Sequence, residues 1–181
     1  TLLSNARLII LDATLSPAAL AIIFELAQQH HIQVVADPTT PSLTGRLCPY
    51  LSQLYLVTPN AGETRALCGG VSAVDRDTAL EAARSLVTQG VHIAVVTLGD
   101  HGLAYADSGG GGYIKAIHTA VVDTAGAGDA FAGAAIFGLL NDVPVDEAMR
   151  LGITAASLTL ASNRTVLPNL SQELLYSKLM A

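Results

Sequence analysis

Asp123-Thr124-Ala125-Gly126-Ala127-Gly128-Asp129, continued by Ala130-Phe131, is the stretch on which the reading of this chain turns. Apolar Ala120-Val121-Val122 leads into it and is expected to be a strand. Phe131 to Leu140, rich in small residues, leads out as a helix. Two glycines and two aspartates thus fall where a strand passes into a helix. There the first free N–H groups of the helix face whatever occupies the turn, and the dipole favours an anion. Gly126 and Gly128 let the backbone approach a ligand closely. A carboxylate fixed beside an anion hole is the minimum equipment for moving a phosphoryl group onto a hydroxyl. The plainer alternative is a tight connection with no ligand. Against it stands Asp129, which a bound phosphate would repel unless proton transfer is its task. A Walker loop is excluded, because Ala134-Ala135 stand where the lysine would be, and a dinucleotide fingerprint is excluded, because Phe131 fills the third glycine position.

Working outward, Arg7 to Asp12, Gln33 to Asp37, Tyr55 to Thr58 and His92 to Leu98 read as strands. Between them lie helical patterns from Pro17 to about Gln29, Leu43 to Leu51, Ala61 to Cys68 and Asp75 to Gln89, the first begun by Ser16-Pro17. Gly102 to Ala106 and Tyr113 to His118 flank Ser108-Gly109-Gly110-Gly111-Gly112 and predict a hairpin, with the glycines as its tip. Further helices are expected over Val145–Ala161 and Ser171–Met180. The β-α-β-α-β order predicts an α/β fold, a central mostly parallel sheet flanked by helices, with antiparallel strands added at one edge. Ligands of such sheets gather beyond the carboxyl ends of the strands, where Asp12, Asp37, Asn60, Gly99 and Asp123 are expected.

The chain of 181 residues is 51% apolar, 13% charged and 4% aromatic, with a net charge of −6. That suffices for one sizeable core, and the Ala/Leu/Val richness fits strands buried on both faces. No basic stripe exists, so no nucleic-acid partner is expected. No apolar run is long enough to span a bilayer and no signal peptide is visible, so no membrane partner is expected either. Cys48 and Cys68 lack metal-ligand spacing; two thiols suggest a core role and a reducing, cytoplasmic compartment. Five scattered histidines form no metal triad. Asn163-Arg164-Thr165 and Asn169-Leu170-Ser171 match the glycosylation pattern by chance. Because the chain opens at Thr1 and enters a strand pattern at once, something is expected to precede it.

Two weaker motifs accompany the turn. Asn60-Ala61-Gly62-Glu63 is either a helix start, with Asn60 as its cap, or a polar pair that holds metal-bound water near phosphates. Thr97-Leu98-Gly99-Asp100-His101-Gly102 is either a glycine-bearing turn or a backbone and hydroxyl surface for a nucleotide.

Taken together, Asn60-x-x-Glu63, Thr97-Leu98-Gly99 and Asp123 to Asp129 resemble the ribokinase-like (PfkB) family of carbohydrate and nucleoside kinases, in the family's order and approximate spacing. The resemblance covers residues 1–181 as the family's C-terminal, ATP-binding portion; its N-terminal sugar motif and small lid lie outside. It implies an ATP-dependent kinase using Mg²⁺, acting on a small sugar or nucleoside. By the same resemblance, Asp129 is the catalytic base, and Ala125, Gly126, Ala127 and Gly128 form the anion hole. Asn60 and Glu63 organise Mg²⁺ and the phosphates, Glu63 through water, while Thr97, Gly99 and Gly102 contact the nucleotide. Many members bind a monovalent cation such as K⁺ beside the anion hole; Asp123 and the carbonyl of Ala125 match that position, with Leu160, Asn163 and Thr165 supplying further oxygens. Many relatives also form homodimers through their lids. Ile10 to Ser16, Ala36 to Pro38 and Asn163 to Ser171 are most similar to the pseudouridine kinase branch. The rivals are a nucleotide-binding portion without catalysis, and a doubly wound domain for another anion.

Overall fold

Runs of aliphatic and β-branched residues set the sheet. In the computed structural model, which describes residues 5–179, β1 (Leu8–Asp12), β2 (Gln33–Asp37), β3 (Leu54–Val57) and β4 (Ile93–Thr97) pair in parallel, each with the next. β5 (Leu103–Asp107) returns antiparallel to β4, and β6 (Gly110–Ile114) completes a six-stranded sheet in sequence order. The chain divides into two compact units, Thr1–Tyr113 and Ile114–Ala181.

In the first unit, α1 (Pro17–Gln29) starts where the Ser16 hydroxyl accepts the Ala19 N–H and a proline needs no N–H partner. Its Leu20, Phe24 and Ala27 join Leu11, Val34, Ala36, Ala94 and Val96 in one core. Each fully buried aliphatic or phenyl group there contributes roughly 1.5–3 kcal/mol. α2 (Pro41–Thr44) passes into a 3-10 helix over Gly45–Gln53. The single helix expected over Leu43 to Leu51 is interrupted because Pro49 lacks the N–H that an α-helix needs. α3 (Ala61–Leu67) and α4 (Arg76–Thr88) follow, each opened by a reciprocal side-chain cap, at Asn60 and Asp75. Cys68 is half-buried and packs against this core, whereas Cys48 is exposed, so the core role expected of both thiols fails at Cys48.

The hairpin is placed differently from expectation. Its tip is Ser108-Gly109, while Gly110, Gly111 and Gly112 lie within β6. A Cβ at Gly111 would stand 2.5 Å from the Tyr105 carbonyl, and one at Gly112 would stand 2.7 Å from the Tyr105 hydroxyl. The glycines therefore serve close strand packing beneath a tyrosine.

The second unit holds α5 (Ala127–Leu140), α6 (Val145–Leu160) and α7 (Gln172–Leu179). Small residues let α5 and α6 approach. A Cβ on Gly152 would lie 2.7 Å from the Phe131 ring, and one on Gly138 would lie 3.0 Å from the Ala148 methyl. Leu175 of α7 closes a core with Ala134, Leu151 and Ala155. Met180, expected to end this last helix, lies outside the described residues. The strand expected at Ala120-Val121-Val122 is absent, so Asp123 is not at a strand end. The N–H groups of Val122 and Asp123 instead donate to the Leu160 carbonyl at the end of α6, at 2.8 and 3.4 Å. Both valines are exposed.

Candidate functional site

In the first unit, the carboxyl ends of β2, β3 and β4 bring Asp37, Asn60, Glu63 and Thr97 to one end of the sheet. Asn60 pairs with Thr97 as an isolated parallel bridge, and the Thr97 N–H donates to the Pro59 carbonyl at 2.9 Å. The Asn60 side-chain oxygen accepts the N–H groups of Gly62 and Glu63 at 2.9 and 3.0 Å, and Glu63 Oε2 accepts the Asn60 N–H at 2.9 Å. The helix-start alternative is thus realised. Glu63 is only 4% exposed, which is unusual for a first-turn acid. Burial raises its pKa; the Asn60 N–H works against that rise and the neighbouring Asp37 carboxylate adds to it. Past Thr97 the chain makes a 3-10 turn over Gly99–His101, with φ of +60° at Gly99 and +106° at Gly102. Those angles favour glycine; Gly99 is exposed at this end of the sheet, whereas Gly102 is buried, its N–H donating to the Gly99 carbonyl and its carbonyl accepting the Leu98 N–H.

Two features here were not singled out from sequence. Thr39 has φ +65°, a costly conformation for a β-branched residue, and its N–H donates to Asp37 Oδ1 at 2.7 Å. Half-buried Arg46 donates through Nη1 to the carbonyls of Ala13, Thr14 and Leu15 at 3.2, 3.2 and 3.0 Å. It thereby pins the loop after β1. The prolines around Thr39 hint at the first feature, while nothing local marks the second.

In the second unit the decisive turn is built on Gly126, the N-cap of α5, with φ +80° and no side-chain cap. A Cβ there would collide with the Thr165 carbonyl oxygen and stand 2.9 Å from the Thr165 carbonyl carbon and Cγ2. Only glycine fits. The Ala125 N–H is taken by Asp123 Oδ1 at 3.0 Å, and the Ala127 N–H makes a long 3.4 Å bond to the Thr124 carbonyl. Among the described residues no group accepts the N–H of Gly126, Gly128 or Asp129. The Asp129 carboxylate, in the same first turn, is exposed and makes no ion pair among the described residues. The arrangement can hold an anion on open amides beside a carboxylate that reaches solvent.

The oxygens expected around a monovalent cation all lie in this unit. Leu160 already accepts two N–H groups, one Asp123 oxygen accepts the Ala125 N–H, and the Thr165 carbonyl abuts Gly126. Asn163 and Thr165 are exposed. No cluster of three or more metal-ligating side chains occurs among the described residues, and none of their helices is long and apolar enough to cross a membrane.

The pfkB family carbohydrate kinase pattern matches residues 1–172. A ribokinase of Haemophilus influenzae is 31% identical over 156 residues, which cover 86% of this chain and 49% of the relative. A pseudouridine kinase of Escherichia coli is 28% identical over 170 residues, 93% of this chain and 53% of the relative. The fold matches that of an Arabidopsis thaliana ribokinase solved with ribose and ATP, at a TM-score of 0.81 and 22% identity, over 98% of this chain and 57% of that one. The chain thus spans about half the length of the relatives it matches.

Proposed function

Because the chain belongs to the pfkB family of carbohydrate kinases, we propose that it supplies the nucleotide-binding and phosphoryl-transfer half of an ATP-dependent kinase for a sugar or nucleoside hydroxyl. The observation that carries this reading is the uncapped start of α5, where open amides stand beside the exposed acid Asp129. The amides of Gly126, Gly128 and Asp129 hold oxygens of the terminal phosphoryl group. Asp129 takes the proton of the acceptor hydroxyl as that oxygen attacks phosphorus, and the bond to the departing diphosphate breaks. Thr97 and Gly99 offer the hydroxyl and exposed backbone that a nucleotide contacts, and buried Gly102 fixes the turn that holds them.

The residues present fit Mg²⁺ carried on the phosphates rather than caged by protein, since no group of three or more metal-ligating side chains occurs among the described residues. Glu63 would hold it through water with the carboxylate oxygen not bonded to Asn60. Mg²⁺ supplies charge neutralisation on the phosphates when bound. A K⁺ ion beside the anion hole would draw on Asp123, Ala125, Asn163 and Thr165, and at Leu160 it would compete with two amides. Pseudouridine-type acceptors are favoured by the stretches Ile10 to Ser16 and Asn163 to Ser171, and by a pseudouridine kinase aligning over 93% of this chain. A cytoplasmic setting agrees with two free thiols and with ATP as donor.

Asp129→Asn in the whole protein is expected to cut turnover by at least about a hundredfold while leaving the affinity for ATP nearly unchanged. Near-normal turnover rejects the assignment. A second reading rests on the chain's spanning about half of its relatives: alone, it binds nucleotide without turnover. Calorimetry with ATP and Mg²⁺ on the 181 residues, beside a turnover assay with pooled sugars and nucleosides, separates the two.

A further inference from the structure

The turn after β4 is gripped by a tyrosine from the far strand of the hairpin. β5 leaves that turn at Leu103 and β6 runs back beside β5, so the last residues of β6 return to it. There the Tyr113 hydroxyl donates to the His101 carbonyl. The half-buried Tyr113 ring packs against the core of the first unit. The Arg76 guanidinium lies over its face, 5.4 Å from the ring centroid and within cation–π reach. Arg76 is the first residue of α4, a helix closed at its start by Asp75 and Thr78 and seated through buried Ala79, Ala82, Ala83 and Leu86. A capped helix end thus holds a ring, and the hydroxyl of that ring holds the turn.

The turn has reason to need it. Gly99 and Gly102 carry no side chains, and glycine has the most backbone freedom to lose. The turn's own bonds run from the Leu98 N–H to the Gly102 carbonyl at 2.8 Å, from the His101 N–H to the Leu98 carbonyl at 3.2 Å and from the Gly102 N–H to the Gly99 carbonyl at 3.2 Å. The last two are at the long end of the normal range.

We infer that Tyr113 is a positioning residue for nucleotide binding: its hydroxyl fixes the turn that presents Thr97 and Gly99, and Arg76 fixes its ring. The inference rests on the nucleotide contacts proposed above for that turn. A turn already in its binding shape spares the cost of ordering it when the ligand arrives. The Tyr113 hydroxyl is engaged with His101, so its removal acts on the affinity for ATP and not on the chemical step.

The test is Tyr113→Phe in the whole protein encoded by the natural reading frame, because phenylalanine keeps the ring beneath Arg76 and removes only the hydroxyl. KM for ATP is expected to rise roughly three- to tenfold, as for one net hydrogen bond, while kcat and KM for the acceptor stay within about twofold of wild type. The amides of Leu98, His101 and Gly102 should exchange at least about threefold faster without nucleotide, and saturating ATP with Mg²⁺ should return them to wild-type rates. Arg76→Gln, which loosens the ring from its exposed side, should raise KM for ATP about two- to fivefold. A residue that only supports the fold would lower Tm and the active fraction, hence kcat, with KM for ATP unchanged. That pattern, an equal rise in KM for both substrates, or no change at all overturns the inference. If Tyr113→Phe does not fold, Arg76→Gln decides by the same comparison. A wild-type protein that turns over no ATP removes the proposed function and this inference with it, whereas an active wild type whose variants keep its KM for ATP removes the inference alone.

Discussion

Gly126→Ala is the sharpest probe of the turn. With φ at +80°, any other residue there costs roughly 1–2 kcal/mol in backbone strain. The added methyl also meets the Thr165 carbonyl, with carbon contacts at 2.9 Å, and such overpacking typically costs a further ~1–3 kcal/mol. The sum, about 2–5 kcal/mol, corresponds to a Tm loss of roughly 4–20 °C for a domain of this size. If the turn relieves the clash by moving, its amides leave the position of the phosphoryl oxygens, and turnover of the whole protein should fall by ~10²–10³. Gly128→Ala is the matched control. Nothing lies within 4 Å of a Cβ there, and the position is the second residue of α5. Alanine should add up to ~1 kcal/mol of helix stability while intruding on the anion space, so Tm rises and turnover falls. Differential scanning fluorimetry and a coupled ADP assay read both quantities. A Gly126→Ala protein with unchanged Tm, or a Gly128→Ala protein with unchanged turnover, would show that the turn neither needs its glycines nor approaches a ligand.

Two other substitutions probe the first unit. Burial raises the pKa of Glu63, so the folded state holds its proton more tightly than the unfolded chain and stability falls as pH rises from the ordinary glutamate range toward the raised value. Glu63→Gln keeps an acceptor for the Asn60 N–H, and it should flatten that slope in denaturant melts between about pH 4 and 7 while lowering Mg²⁺-dependent turnover; an unchanged slope would remove Glu63 as its source. Arg46→Ala frees the carbonyls of Ala13, Thr14 and Leu15 and should cost about 1.5–3 kcal/mol, with Arg46→Lys recovering only part, since the lysine nitrogen sits one atom closer to the backbone than Nη1, which makes all three bonds; full recovery by lysine would argue against that reach as the cause.

The parallel strands were legible because each is a short aliphatic run stopped by Asp, Pro or Gly, and burial on both faces selects such runs. The caps at Ser16 and Asn60 were legible for a related reason: a side chain that bonds its own helix start is a local event. What failed depended on distant partners. Ala120-Val121-Val122 has strand composition, but its N–H groups go to Leu160, a residue with no local trace in that stretch. The glycines of β6 read as a tip because nothing near them in sequence announces that Tyr105 will lie across them. At the site, the open turn was visible as glycines flanked by acids. The burial of Glu63, the strain at Thr39 and the clamp from Arg46 were not, since each arises from residues brought in by other elements.

How the helices begin separates scaffold from site. α1, α3 and α4 each close their first turn with a side chain, from Ser16, Asn60 and Asp75, and such caps contribute about 1 kcal/mol apiece. α6 starts after a proline with Asp146 and Glu147 in its first turn, and Asp146 is paired to Arg150 at 2.7 Å. α5 does neither: it begins at a left-handed glycine, keeps a second glycine inside its first turn and leaves its amides open. At Gly128 an alanine would add up to ~1 kcal/mol of local stability, while the backbone at Gly126 admits no capping side chain. A helix start that goes without a side-chain cap and keeps this second glycine, packed against Thr165, is what an anion-binding turn would show. An anion on those amides would restore the missing stabilisation. ATP with Mg²⁺ should therefore protect the amides of Gly126, Gly128 and Asp129 from hydrogen exchange in the Asp129→Asn protein as well as in wild type. Loss of protection in that variant would mean that the carboxylate, and not the open backbone, holds the phosphate.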